Sequence, residues 1–493
     1  MSEFPLVSAY KDVDAFRARL AELGLDCDRR IEDAGGPLGQ PVVHRGRTIG
    51  NRWAAHPMEG WDGTPGGQPT ELTLRRWRNF GRSGAKLIWG GEAYAVTEDG
   101  RANPHQLCLN PNSREDLTAL LAAVRAGHRE AGLTTDDLYC GLQLTHSGRW
   151  ARPRGAPAPR IPQHHPLLDR RSGVLDTTSP LTDGELEGIA RAFVDAALLA
   201  REVGFDFVDI KCCHGYLLHE LLAARQRPGP YGGDLAGRTA LFRRIVSGIR
   251  ASVPDFDLGV RLSLYDCVPH AAQGGASHDA GGEARRGSSE LTGEHLPYEY
   301  GFGINPHFPA EPDLQEPFQF LELLRENDIS LVNITLGSPY YCPHLQRPAS
   351  WPPSDGYAPP EDPLASVAAH LRATRAAKAA FPDLLFVGTG YTYLQEYLPQ
   401  VAQYEVRAGH TDFVGIGRLL LSYPELPQHT LAGRALENKR LCRTFSDCTS
   451  GPRSGEVSGC YPLDPHYRSM AAAAPLRAAR SRSSPPNDSP HDK

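Results

Sequence analysis

The sequence predicts an α/β fold: a (β/α)8 TIM barrel with an N-terminal extension and a short cysteine-containing C-terminal segment. Three observations carry this expectation. Eight short apolar runs recur along the chain, amphipathic helical patterns separate many of them, and the runs end in glycine, histidine, arginine and other polar groups. Strands that are apolar on both faces and alternate with helices close into a parallel barrel, whose chemistry collects at the C-terminal strand ends.

Taken in order, "DVDAFRARLAELG" (12–24) reads as a short amphipathic helix with a glycine stop, and a polar Gly/Pro stretch follows it. Residues 1–40 are therefore assigned to an N-terminal extension and 41–435 to the barrel. The eight runs are "TIGNRWAAHP" (48–57), "AKLIWGG" (85–91), "LYCGLQLTH" (138–146), "FDFVDIK" (205–211), "DLGVRLS" (257–263), "ISLVNIT" (329–335), "LLFVGTG" (384–390) and "DFVGIGR" (412–418). Helices such as 183–204 and 238–253 show apolar residues at three- and four-residue spacing. Two long loops, 268–310 and 339–363, follow strand ends where either can cover a pocket; the second carries Tyr340, Tyr341, Trp351 and Tyr357. Residues 436–467 form the cysteine-containing segment, and the low-complexity stretch 468–493 is expected to be disordered.

Composition narrows the function. The chain has 493 residues and a formal charge of -6, with basic residues scattered rather than striped, so no nucleic-acid footprint is present. No apolar run approaches the roughly 18 residues of a membrane span, and the N-terminus lacks a basic start followed by an apolar stretch, so a cytoplasmic protein is the expectation. Cys27, Cys108, Cys140, Cys267 and Cys342 are too scattered for a disulfide framework. In "KCCHGYLLHELL" (211–222) the adjacent Cys212 and Cys213 point to opposite faces of a strand, which argues for packing rather than a metal or redox pair. Glycines at the last two strand ends, "VGTG" and "GIGR", suit a phosphate cradle of backbone N–H groups, to which Arg418 adds a charged donor.

Seven stretches in register, "NRWAAHPM", "LQLTHSGR", "GFDFVDIKCCHGYLLHELL", "YGGDLAGR", "LGVRLS", "VGTG" and "VGIGRLLLSYPELP", resemble the Old Yellow Enzyme family of FMN-dependent ene reductases, in particular the 2,4-dienoyl-CoA reductase branch. The resemblance implies FMN, NADH or NADPH as electron donor, and hydride transfer through flavin N5 to an activated C=C bond of a small unsaturated substrate. It implies Pro57, Met58 and Ala93 against the flavin ring, Gln143 at its pyrimidine edge, and Arg261 beside N1 and O2. Gly388, Thr389, Gly390, Gly417 and Arg418 would surround the phosphate. Lys211 and His214 would hold the withdrawing group, and Tyr216 would give the proton.

Two positions depart from the family pattern. Lys211 stands where histidine is usual, and Glu59 where threonine or cysteine is usual beside the flavin. An ion pair between them across the pocket mouth is the expectation. Desaturation, demethylation or amine oxidation on the same barrel, or flavin binding without turnover, remain alternatives. Cys442, Cys448 and Cys460 resemble the branch's iron-sulfur segment, but Phe445 replaces a ligand and four thiolates normally hold such a cluster. The segment is therefore expected to pack without one; the minor alternative is an incomplete cluster or a zinc with His466. No Gly-rich nucleotide fingerprint follows residue 467, which leaves a nicotinamide at FMN or a separate electron-donor protein as the expected source of electrons. A homo-oligomer is compatible with this reading.

Overall fold

A computed structural model describes residues 4–275, 277 and 284–483. Eight parallel strands, β1 (Trp53–Ala55), β2 (Leu87–Ile88), β3 (Tyr139–Thr145), β4 (Phe207–Ile210), β5 (Asp257–Ser263), β6 (Leu331–Thr335), β7 (Leu385–Gly388) and β8 (Phe413–Ile416), form a closed TIM barrel. Each lies within one of the eight apolar runs. Closure comes from β8 pairing with β1 (Ile416 opposite Ala55) and β2 pairing with β3 (Ile88 opposite Cys140). A short ninth strand, Ala93–Ala95, adds to the top of β3 with Ala93 opposite Gln143.

The long helix Asp183–Val203 shows how sequence sets the elements. Thr182 and Glu185 form a reciprocal capping box at its start, and its apolar stripe from Leu186 to Ala200 is buried. Between such helices and the outer faces of the strands lies the main apolar core. Inside the barrel, Trp89, Tyr139, Phe207, Leu331, Val387 and Phe413 fill the lower half. Tyr139 stacks on Phe207 and Trp89 meets it edge-on, with ring centroids 5.6 and 5.3 Å apart. The barrel is a packed body, not a pore.

Its lower end is closed by the hairpin Val42–His44 with Arg47–Ile49. Asp257 anchors this plug, accepting from Tyr139 Oη at 2.9 Å and facing His44 Nε2 at 2.6 Å and Arg45 Nε at 3.0 Å. With one end plugged, the opposite end is left for chemistry.

The N-terminal helix Val13–Glu22 is tied to the barrel wall by Phe16, which stacks on Tyr397 at 4.3 Å. Within the loop expected at 268–310, His270–Ala272 pairs antiparallel with Gly287–Ser289. The stretch from residue 468, expected to be disordered, instead includes the helix Ala473–Ser483. Leu476 is buried with Tyr461 and Tyr467, a small apolar cluster that low-complexity composition concealed. The rest of that stretch, 484–493, lies outside the described residues.

Candidate active site

At the C-terminal ends of the strands is a cavity of about 210 Å³. Thirteen of the fourteen residues expected around flavin and substrate line it: Pro57, Met58, Glu59, Ala93, Gln143, Lys211, His214, Tyr216, Arg261, Thr389, Gly390, Gly417 and Arg418. The exception is Gly388, which belongs to β7 and does not line the cavity; a side chain there would meet the Tyr391 hydroxyl at 3.0 Å.

The floor is organised by Asp209 on β4. Its carboxylate accepts from Gln143 Nε2 at 2.6 Å, from the Trp89 indole at 2.8 Å and from the Arg261 backbone N–H at 2.6 Å. Burial still raises its pKa to about 6, against the lowering by those donors. Because a carboxylate only accepts, one Gln143 amide N–H is committed to Asp209, which leaves the amide oxygen and the second N–H for the cavity. Arg261 keeps a buried Nε without a partner. These groups meet the hydrogen-bonding needs of a flavin pyrimidine edge.

On the opposite side, Arg347 and Arg418 line the same cavity. Arg418 Nη2 donates to Pro348 O at 2.8 Å while its Nη1, like Arg347 Nη2, is buried without a partner. Burial and the neighbouring Arg418 charge bring the Arg347 pKa down to about 10. Two guanidiniums with unused donors and mutual repulsion form a fitting seat for a dianionic phosphate. FMN, the cofactor that the sequence resemblance implies, therefore fits the residues at both ends: Gln143 and Arg261 would hold its ring, Arg347 and Arg418 its phosphate.

The β1 end adds a buried residue that the sequence reading left out. His56 faces Asn333 Nδ2 through Nδ1 and Thr389 Oγ1 through Nε2, each at 3.1 Å. Position 415 on β8 must be glycine, since any Cβ would overlap the His56 ring. Burial, followed by the Arg261 charge, holds the imidazole neutral, well below its ordinary pKa.

After β4 the chain turns sharply, with His214 (φ 67°) and Gly215 (φ 75°) both left-handed. For a histidine this conformation costs roughly 1–2 kcal/mol, which tertiary contacts must offset. They do so from two neighbouring strand ends: His214 N donates to Ser263 Oγ at 3.2 Å, and Ser338 Oγ donates to His214 O at 2.8 Å. Gly215 is required twice over, because a Cβ would also lie 2.8 Å from the Tyr341 ring. The turn carries Lys211, His214 and Tyr216 to one wall of the cavity. Cys212 and Cys213 are fully buried, and burial raises both thiols, Cys213 to about 12.

The expected Glu59–Lys211 ion pair is not formed. Tyr216 stands between them: its hydroxyl donates to Glu59 Oε2 at 2.6 Å, and Lys211 Nζ lies 3.8 Å over its ring centroid. A short hydrogen bond satisfies the carboxylate and a cation–π contact holds the ammonium, so neither needs the other directly. Burial, and then the Glu59 charge, push the Tyr216 pKa well above 10, while burial lowers that of Lys211. Burial, with Arg261 and Lys211, keeps His214 neutral.

A match to the NADH:flavin oxidoreductase / NADH oxidase family covers residues 37–283, just over half of the chain. The chain belongs to this family. Among curated members, an NADPH dehydrogenase of Halalkalibacterium halodurans is 31% identical over 236 residues, 46% of this chain and 64% of that protein. An NADH-dependent flavin oxidoreductase of Aspergillus parasiticus is 26% identical over 251 residues, 48% of this chain and 55% of that protein. The matched region thus spans less than two thirds of these relatives. A solved 2-naphthoyl-CoA reductase shares the fold at a TM-score of 0.63 with 17% identity, over 87% of this chain and 57% of that one.

The loop after β6, which lies beyond the matched residues 37–283, supplies the remaining wall. Tyr340 Oη is 2.9 Å from Tyr216 Oη, its ring stacks on Trp150 at 4.5 Å, and Gln346 Nε2 is 3.0 Å from His214 Nε2. The aromatic content of the 339–363 stretch was the available signal; its register was not. Among the described residues, Cys442, Cys448 and Cys460 do not bring their sulfurs together as ligands of one ion. Phe445 packs on Trp351 at 5.0 Å and under Arg480 at 4.4 Å. No described helix is long and apolar enough to cross a membrane.

Proposed function

We propose that the chain is an ene reductase, moving hydride from NADH or NADPH to the β-carbon of an alkene activated by a carbonyl or similar group. FMN, when bound, supplies the two-electron carrier between donor and alkene. The observation that carries the reading is the wall formed by Lys211, His214 and Tyr216, facing a cavity that also presents Gln143 and Arg261.

On this reading Lys211 and His214 hold the oxygen of the withdrawing group, meeting the enolate-like charge that grows when hydride reaches the β-carbon. Tyr216 gives its hydroxyl proton to the α-carbon. Its raised pKa keeps it protonated at neutral pH, and the hydrogen-bonded Tyr340 and Glu59 offer a route by which solvent restores the proton. Net, one hydride and one proton add across the double bond, and the nicotinamide is oxidised.

Amine oxidation, the reading closest to the alternative, would bring a cationic substrate. Lys211 and Arg261 line the reacting end of the cavity against one carboxylate among the described residues, that of Glu59, which favours substrates that become anionic. The test is direct. FMN-loaded protein should be bleached by NADH or NADPH and recoloured by an enone with formation of the saturated ketone; recolouring by amines under the same conditions, without enone turnover, would reverse the assignment.

A further inference from the structure

We propose that Cys267, His270 and His344 bind a divalent transition-metal ion of the zinc class, with Cys342 as fourth ligand, and that this ion fastens the substrate-side loop to the barrel. The site is separate from the flavin cavity, none of whose lining residues it uses. It gathers ligands from two loops far apart in sequence: Cys267 and His270 follow β5, and Cys342 and His344 follow β6.

One ligand atom from each of Cys267, His270 and His344 lies within 4.8 Å of the others. Tetrahedral zinc, with bonds of about 2.0–2.3 Å, requires ligand separations of about 3.4–3.8 Å, so side-chain adjustments of about an ångström complete the geometry. Cys342 lies in the same small cluster that Cys267 packs against, and both cysteines are free. Thiolates and imidazoles together select zinc or a similar borderline ion over magnesium or calcium, which take oxygen ligands.

The surroundings suit metal ligation. A histidine that binds through Nε2 donates its Nδ1–H to an acceptor, and acceptors are in place for both rings. His270 Nδ1 is 2.9 Å from Val268 O and 3.9 Å from Cys267 Sγ, and His344 Nδ1 is 2.8 Å from Tyr357 Oη. The two rings lie 4.6 Å apart. Cys342 Sγ accepts from the Ser338 backbone N–H at 3.1 Å.

The placement gives the ion a role. His344 and Gln346 share the single helical turn Pro343–Gln346, so a turn pinned at His344 holds Gln346 against His214 in the flavin cavity. Tyr340, four residues earlier in the same loop, touches Tyr216.

The test uses the full chain, purified without chelator from zinc-supplemented medium. Elemental analysis should find about one zinc per chain, lost in Cys267→Ser and in His344→Ala and retained in Cys108→Ser. Because a ligand variant can fail to fold, the wild type is also stripped by chelator and titrated with Co²⁺. Saturable visible bands of tetrahedral cobalt with thiolate charge transfer are expected, together with slower proteolysis within 336–348 once metal is bound. Zinc no higher than in Cys267→Ser, absence of the cobalt bands, or a Cys267–Cys342 disulfide in freshly purified protein would each overturn the proposal.

Discussion

The Tyr216 hydroxyl donates to Glu59 Oε2 at 2.6 Å, across 157 residues of sequence, and so couples the proposed proton donor to the only carboxylate that lines the cavity among the described residues. Replacing Tyr216 by Phe should slow alkene reduction about 10²- to 10⁴-fold, the usual worth of a positioned general acid. Stopped-flow traces should show flavin reduction by the nicotinamide at its wild-type rate; equal loss in both half-reactions would assign the tyrosine to cofactor binding instead.

Glu59→Gln removes a negative charge from beside Tyr216. The anion is, after burial, the main reason the phenol titrates so high, so its removal lowers that pKa. The alkaline limb of the pH–rate profile for alkene reduction should move to lower pH in the variant. A limb that stays in place would separate the two residues functionally.

Arg418→Ala removes one of two guanidiniums with unpartnered buried donors at the phosphate end. Charge-assisted hydrogen bonds contribute roughly 1.5–3 kcal/mol, so FMN should bind about 10- to 100-fold more weakly, measured by fluorescence quenching on titration into apoprotein. Arg347→Ala should behave similarly, and riboflavin, which lacks the phosphate, should be indifferent to both.

His370 is fully buried beneath the β7 end, and burial lowers its pKa from 6.5 to about 4. A depressed histidine pKa means the unfolded chain takes up the proton first, so its contribution to stability is intact above pH 6.5 and is lost as pH falls toward 4. At about 1.4 kcal/mol per unit, the wild type should lose roughly 3 kcal/mol relative to His370→Gln across that window. Denaturant unfolding of both proteins between pH 7 and pH 4 measures the difference.

The barrel was legible because each strand is buried on both faces, and an unbroken apolar run survives in sequence without knowledge of its neighbours. Site residues on strand ends, such as Gln143 and Arg261, inherit that legibility from their strands. Arg347, Tyr340 and Gln346 were not legible as site residues, since their role depends on how the loop after β6 folds back over the β4 end, a long-range closure with no local pattern. The Glu59–Lys211 expectation failed for a related reason. Opposite charges suggested a pair, whereas Tyr216 offered one a hydrogen bond and the other its ring face.

The loop after β6 and the strand ends divide the cavity by mutational freedom. Position 415 tolerates no side chain and Asp209 is committed to three donors, so the bed beneath the cofactor is fixed by packing. Tyr340 and Gln346 meet the cavity from a connecting segment that the barrel does not constrain in the same way. Substrate range and redox tuning are therefore separable in this molecule: on the proposed reading, a library confined to Tyr340 and Gln346 should change which substrate is accepted while leaving the electron supply as it is.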